Sequence, residues 1–151
     1  RAVIFVDKKY FVIVDEAIGS GTGDIDIHFQ LGPGNAIVDS TQFRVRSDFK
    51  DGWNVLVQGR PQEGMLLERE DGWVSFIYTK KVPRPAFRYR LQKPSGKGVR
   101  FITVVAPYDG TSPPRLIAET DGEQDIGSSK MELKVNVDGV TSKFKYEIPA
   151  R

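Results

Sequence analysis

Apolar and polar residues alternate one by one through long stretches of this chain, and that period of two decides its fold class. From Asp24 to Leu31, Ile25, Ile27, Phe29 and Leu31 share one face, while Asp24, Asp26, His28 and Gln30 share the other. Between Ala86 and Gln92, Phe87, Tyr89 and Leu91 oppose Arg88, Arg90 and Gln92. Near the end, Met131, Leu133, Val135 and Val137 form one such set, and Phe144, Tyr146 and Ile148 another. Successive strand side chains point to opposite faces, so each run reads as a strand with one dry and one wet face. No window sustains the 3.6-residue period of an amphipathic helix.

Turn chemistry separates the runs. Asp-Gly occurs at Asp51-Gly52, Asp71-Gly72, Asp109-Gly110, Asp121-Gly122 and Asp138-Gly139. Glycine supplies the positive φ of a tight hairpin and aspartate tolerates it, which makes Asp138-Gly139 the cleanest hairpin signal. Gly32 to Asn35 and Lys93 to Gly96 are further breaks. Asp-Gly-Trp occurs twice, at Asp51 and Asp71, and reads as two hairpins sharing turn chemistry rather than a repeat array. The expected fold is all-β: an antiparallel β-sandwich of about ten short strands in one domain, residues 1–151.

Several functions are excluded by what the chain lacks. There is no cysteine, so no disulfide framework and no Cys-ligated metal site. No apolar run approaches the roughly 20 residues of a bilayer-spanning helix. The glycine-rich Gly19 to Gly23 lacks the Gly-Lys-Ser/Thr ending of a phosphate loop and reads as a connection. Asp121 to Asp125 is acidic without the ligand spacing of a calcium loop, and reads as an exposed turn.

Particular stretches resemble the closing β-domain of the heparinase II/III-like polysaccharide lyases, heparinase III-type heparan sulfate lyases above all. They are the run from Val3-Ile4-Phe5-Val6-Asp7-Lys8-Lys9-Tyr10 on to Gly19, then His28-Phe29-Gln30-Leu31 and Arg84-Pro85-Ala86-Phe87. Phe101-Ile102-Thr103-Val104-Val105 with Pro107-Tyr108 is similar to a later strand of that domain. The resemblance implies an α/α toroid upstream, absent from this sequence, and a larger lyase β-domain of which this chain is the C-terminal part. It also implies a periplasmic or secreted enzyme that cleaves heparan sulfate or heparin by β-elimination. In such a reaction a base removes the C5 proton of a uronate, an acid assists departure of the C4 oxygen, and the carboxylate charge is neutralised.

The resemblance places the family's catalytic asparagine, tyrosine and histidine ahead of Arg1. No catalytic residue, metal ligand or cofactor is therefore assigned here, and the chain alone is expected to be inactive. His28, the one histidine, shares its polar strand face with Asp26 and reads as a strand histidine satisfied by neighbours or solvent. Among the tyrosines, Tyr108 is the one expected to reach a surface.

Charge is distributed unevenly. Eight basic residues and no acid fall between Lys80 and Arg100: Lys80, Lys81, Arg84, Arg88, Arg90, Lys93, Lys97 and Arg100. The chain as a whole is only +2, so the remainder is net acidic. A basic stripe can hold a polyanion, and guanidinium groups pair bidentately with sulfate and carboxylate. Arg84, Arg88 and Arg90 are thus the candidate substrate-binding residues, with an acidic sulfated polysaccharide as partner. A solvated face answering acidic patches elsewhere is the alternative. No nucleic-acid motif accompanies the stripe. Two readings of the whole stand: the cleft-supporting part of a lyase, or a non-catalytic polysaccharide-binding or structural β-domain.

Overall fold

A computed structural model describes residues 1–50, 52–120, 126 and 130–147. Its strands are β1 (Ala2–Val6), β2 (Tyr10–Ala17), β3 (Gly23–Gln30), β4 (Ala36–Asp39), β5 (Arg44–Ser47) and β6 (Trp53–Gly59). There follow β7 (Leu66–Ile77), β8 (Lys80–Lys93), β9 (Val99–Asp109), β10 (Leu116–Thr120), β11 (Lys130–Val137) and β12 (Val140–Glu147). All pair antiparallel, as the alternation requires. The described strands number twelve rather than ten, because β4 and β5, four residues each, are too short to show a period. The reversal between them has no glycine. Asp39 Oδ1 makes it instead, accepting from the Thr41 and Gln42 backbone N–H groups at 3.2 Å each.

The strands form three sheets. A central one has the order β1-β2-β9-β6-β5-β4, and two three-stranded sheets have the orders β3-β8-β7 and β10-β11-β12. The central sheet is dry on both faces, which makes the sandwich one of three layers. Along β9, Ile102, Val104 and Ala106 join the core built with Leu116, Met131, Leu133 and Val135 of β10 and β11. Val99 and Phe101 join the core built with Leu67, Phe87, Tyr89 and Leu91 of β7 and β8. The expected inward residues Phe87 and Leu133 are each only 1% exposed, and Phe29 and Phe144 are partly buried against the same cores. Tyr108 is buried, contrary to expectation, because its parity on β9 matches Ile102 and Val104 and so faces a core.

The turn signals divide. Asp138 and Gly139 have φ of 50° and 88° between the paired Val137 and Val140, a two-residue hairpin. Asp71-Gly72 is no turn: both residues lie inside β7, and the chain reverses at Tyr78-Thr79, where Thr79 has φ 70°. Glycine is needed at position 72 for a different reason. A Cβ there would lie 2.6 Å from the Arg84 carbonyl oxygen and 2.7 Å from the Ala86 Cβ. Asp51 and the Asp121 to Asp125 segment lie outside the described residues.

Candidate functional site

The β7–β8 hairpin outruns its sheet. β3 stops at Gln30, opposite Ala86, while β7 and β8 continue paired to Ile77 and Lys80. Two prolines accommodate that overhang. Pro85 accepts a hydrogen bond from Leu31 N–H at 2.9 Å, so its nitrogen and that of Pro83 point to the side where β3 has ended. A proline lacks a ladder donor and is tolerated where no strand needs one. The resulting two-stranded ribbon carries Trp73, Ile77 and Val82, all exposed, with Tyr78 at its end 92% exposed. Between Gly72 and Arg84 the sequence has Lys80, Lys81 and Arg84 and no acid.

Behind the ribbon, the wet face of the same sheet gathers the other charges. Arg90 donates to Asp26 through Nε and Nη2, both at 2.7 Å, and lies 3.3 Å from Asp24. Arg88 donates to Glu68 at 2.9 Å and reaches Glu70 and Asp26 at 3.4 Å. His28 Nδ1 is 2.7 Å from Glu70 Oε2, so its partner is a carboxylate two strands away and not Asp26. The hydrogen bonds from Arg90 hold the Asp26 carboxyl below the usual carboxylate range, and Asp26 raises the Arg90 guanidinium in return.

The remaining bases of the stripe fare differently. Lys93 is buried, its Nζ donating to the carbonyls of Gly19 at 2.7 Å and Gly21 at 2.5 Å. The glycine-rich connection thus wraps an ammonium. Arg100 pairs with Glu16 at 2.5 Å. Lys80, Lys81, Arg84 and Lys97 form no ion pair with a described residue. Lys81 Nζ sits 4.3 Å from the centre of the Trp73 ring, a cation–π contact. Arg84 Nε is buried without a hydrogen-bond partner. Of the four cations of this stripe that lack an ion pair among the described residues, three are therefore on the ribbon.

The chain matches a family model described as heparinase II/III-like, C-terminal, over residues 1–128. It belongs to that family. It is 34% identical over 140 residues to a heparin-sulfate lyase of Pedobacter heparinus, covering 92% of this chain and 21% of that protein. A heparin-sulfate lyase of Bacteroides stercoris is 31% identical over 148 residues, with 98% of this chain and 22% of the relative covered. The crystal structure of the heparan sulfate lyase HepC from Pedobacter heparinus superposes with a TM-score of 0.90 at 32% identity. That match covers 99% of this chain and 24% of the HepC chain. The chain thus spans about a fifth to a quarter of the relatives it matches.

For this heparinase II/III-like domain the structure splits the three candidate arginines. Arg88 and Arg90 face outward from one sheet face, as alternation requires, but among four carboxylates. Arg84 stands apart, at the base of the ribbon opposite Gly72. Trp73 and the ribbon's projection escaped the sequence reading. The signal was there: two prolines within three residues, Pro83 and Pro85, argue against a fully paired central strand. Among the described residues no group of three or more carboxylates and histidines could hold a metal ion, and no helix is long and apolar enough to cross a membrane.

Proposed function

We propose that this chain is a non-catalytic, polysaccharide-contacting β-domain of a heparinase III-type lyase. It forms one wall of the cleft in which a heparan sulfate-type chain is cleaved by β-elimination. The observation that carries this reading is the superposition of nearly the whole chain on about a quarter of a heparan sulfate lyase chain. Export to the periplasm or beyond belongs to the same proposal, since the polymer is met outside the cell.

The chemistry within this chain fits a supporting role. β-Elimination needs a base and an acid placed around one uronate, with a group to neutralise its carboxylate. His28 is engaged with Glu70 on a face crowded with carboxylates, which would repel a polyanion. Of the three candidate arginines, the proposal keeps Arg84 as a substrate contact and gives Arg88 and Arg90 to internal ion pairs. At Arg88 and Arg90 the polymer competes with Asp24, Asp26, Glu68 and Glu70, while at Arg84 it competes with no carboxylate among the described residues.

The test uses the ultraviolet absorbance of the unsaturated uronate that elimination creates. The 151-residue chain incubated with heparan sulfate is expected to give none. The full-length protein containing it is expected to give steady product. Product from the isolated chain, abolished by His28→Ala, would overturn the non-catalytic assignment. A full-length protein inactive on every heparan sulfate preparation would overturn the lyase.

A further inference from the structure

We infer that the β7–β8 ribbon, through Lys80, Lys81 and the face of Trp73, is where this domain holds its sulfated polysaccharide. The inference rests on the reading that such a polymer is the ligand, and it relocates the contact from the sheet face to the projection. Charge complementarity selects the ligand class. Of the eight bases between Lys80 and Arg100, four are spent inside the domain: Arg88, Arg90 and Arg100 on carboxylates and Lys93 on backbone carbonyls. The ribbon keeps Lys80, Lys81 and Arg84 with no acid between Gly72 and Arg84. Ammonium groups without a carboxylate partner among the described residues are the ones whose pairing with sulfate breaks no ion pair.

The aromatic part of the ribbon fits the same ligand. Trp73, Pro83 and Lys81 share one side of the ribbon, because alternate residues of β8 share a face and Trp73 pairs with Pro83. Trp73 is 47% exposed, a flat apolar surface of the kind a pyranose ring can stack on. Lys81 above it brings a cation to the edge of that platform. A sulfate drawn to Lys81 would move the ammonium relative to the indole, so Trp73 emission reports the event directly.

The chain has two tryptophans, and Trp53 is 70% exposed, so Trp53→Phe leaves Trp73 as sole reporter. In that background a heparin octasaccharide at low salt is expected to change Trp73 emission saturably. Chemically desulfated heparin should do so only at much higher concentration. Lys80→Gln with Lys81→Gln should weaken the apparent affinity by about tenfold or more, since each removes a charge-assisted contact. Arg88→Gln with Arg90→Gln should leave it within about twofold, consistent with charges already engaged internally. Circular dichroism confirms that each variant is folded.

The inference is overturned if emission of the folded protein ignores the octasaccharide. It is equally overturned if the Arg88/Arg90 variant loses binding while the Lys80/Lys81 variant keeps it. Emission that depends on protein concentration without heparin assigns the ribbon to a second copy of the chain, which also overturns it. Failure here with full-length turnover intact leaves the lyase reading standing. Octasaccharide binding at the ribbon of an inactive full-length protein does the reverse.

Discussion

Arg90 clasps Asp26 with two parallel hydrogen bonds, Nε to Oδ1 and Nη2 to Oδ2, each 2.7 Å long. The two residues are direct cross-strand partners on β8 and β3. The clasp depresses the Asp26 pKa in the folded state below the unfolded value of about 3.9. A depressed carboxylate stabilises the fold above the unfolded pKa, and that contribution is lost as pH falls through the folded value. Arg90→Gln should therefore raise the Asp26 pKa toward its unfolded value. Carboxyl-carbon NMR titration reads the shift, and urea midpoints should show a smaller acid loss in the variant than in the wild type. An Asp26 titration unmoved by the substitution would show that the clasp is not what holds the proton off.

Phe87 stacks on Phe29 at 5.5 Å and meets Tyr89 edge-on at 5.8 Å, within the core between the central sheet and β7–β8. Phe87→Ala should cost about 3–5 kcal/mol, the range for a buried aromatic truncated to leave a cavity. Lys145 is 81% exposed and pairs with Glu132 at 2.7 Å, so Lys145→Ala should cost no more than about 1 kcal/mol. Urea denaturation separates the two, and equal midpoint shifts would mean the strand faces are inverted.

Gly72→Ala should destabilise by about 1–3 kcal/mol, because the new methyl meets the backbone of the partner strand rather than a flexible side chain. Gly21→Ala, with open space around it and an ordinary φ, should be nearly neutral. Amide exchange in the Gly72 variant should quicken first along the ribbon. Equal stability of the two variants would remove the close-approach explanation for Gly72.

Asn54 is buried with every polar atom used. Its Oδ1 accepts from Ser47 Oγ at 2.7 Å and Phe49 N–H at 2.9 Å. Its Nδ2 donates to the carbonyls of Phe49 at 3.0 Å and Gly110 at 2.8 Å. Asn54→Asp keeps the size but loses both donors and buries a charge, which should cost about 2–4 kcal/mol at neutral pH. The loss should shrink as pH falls and the carboxyl is protonated. A pH-independent loss would show that shape, and not the donors, is what the site requires.

What was legible in the sequence was local. A period of two is a property of consecutive residues, so Phe87, Tyr89 and Leu91 read as one face of a strand without knowledge of any partner. Asp138-Gly139 declared its hairpin because the required backbone angles belong to those two residues alone. The family was legible too, through runs such as Val3 to Gly19 that carry a whole hairpin. The inward-facing positions followed from the same alternation, down to Leu133.

The tertiary structure decided everything that depends on who sits opposite whom. Asp71-Gly72 has the composition of a turn, yet partners on β8 keep it extended, because pairing outweighs a local preference that costs little to override. Arg88 and Arg90 looked like available charge in a stripe without acids. The acids that engage them come from β7 and β3, some 20 and 60 residues away in the chain respectively, brought alongside by register. Electrostatic energy depends on distance in space, and sequence spacing measures that only within one strand. That is why the stripe's sign was readable from the residues, while the choice of which bases stay unpaired on the ribbon belonged to the fold.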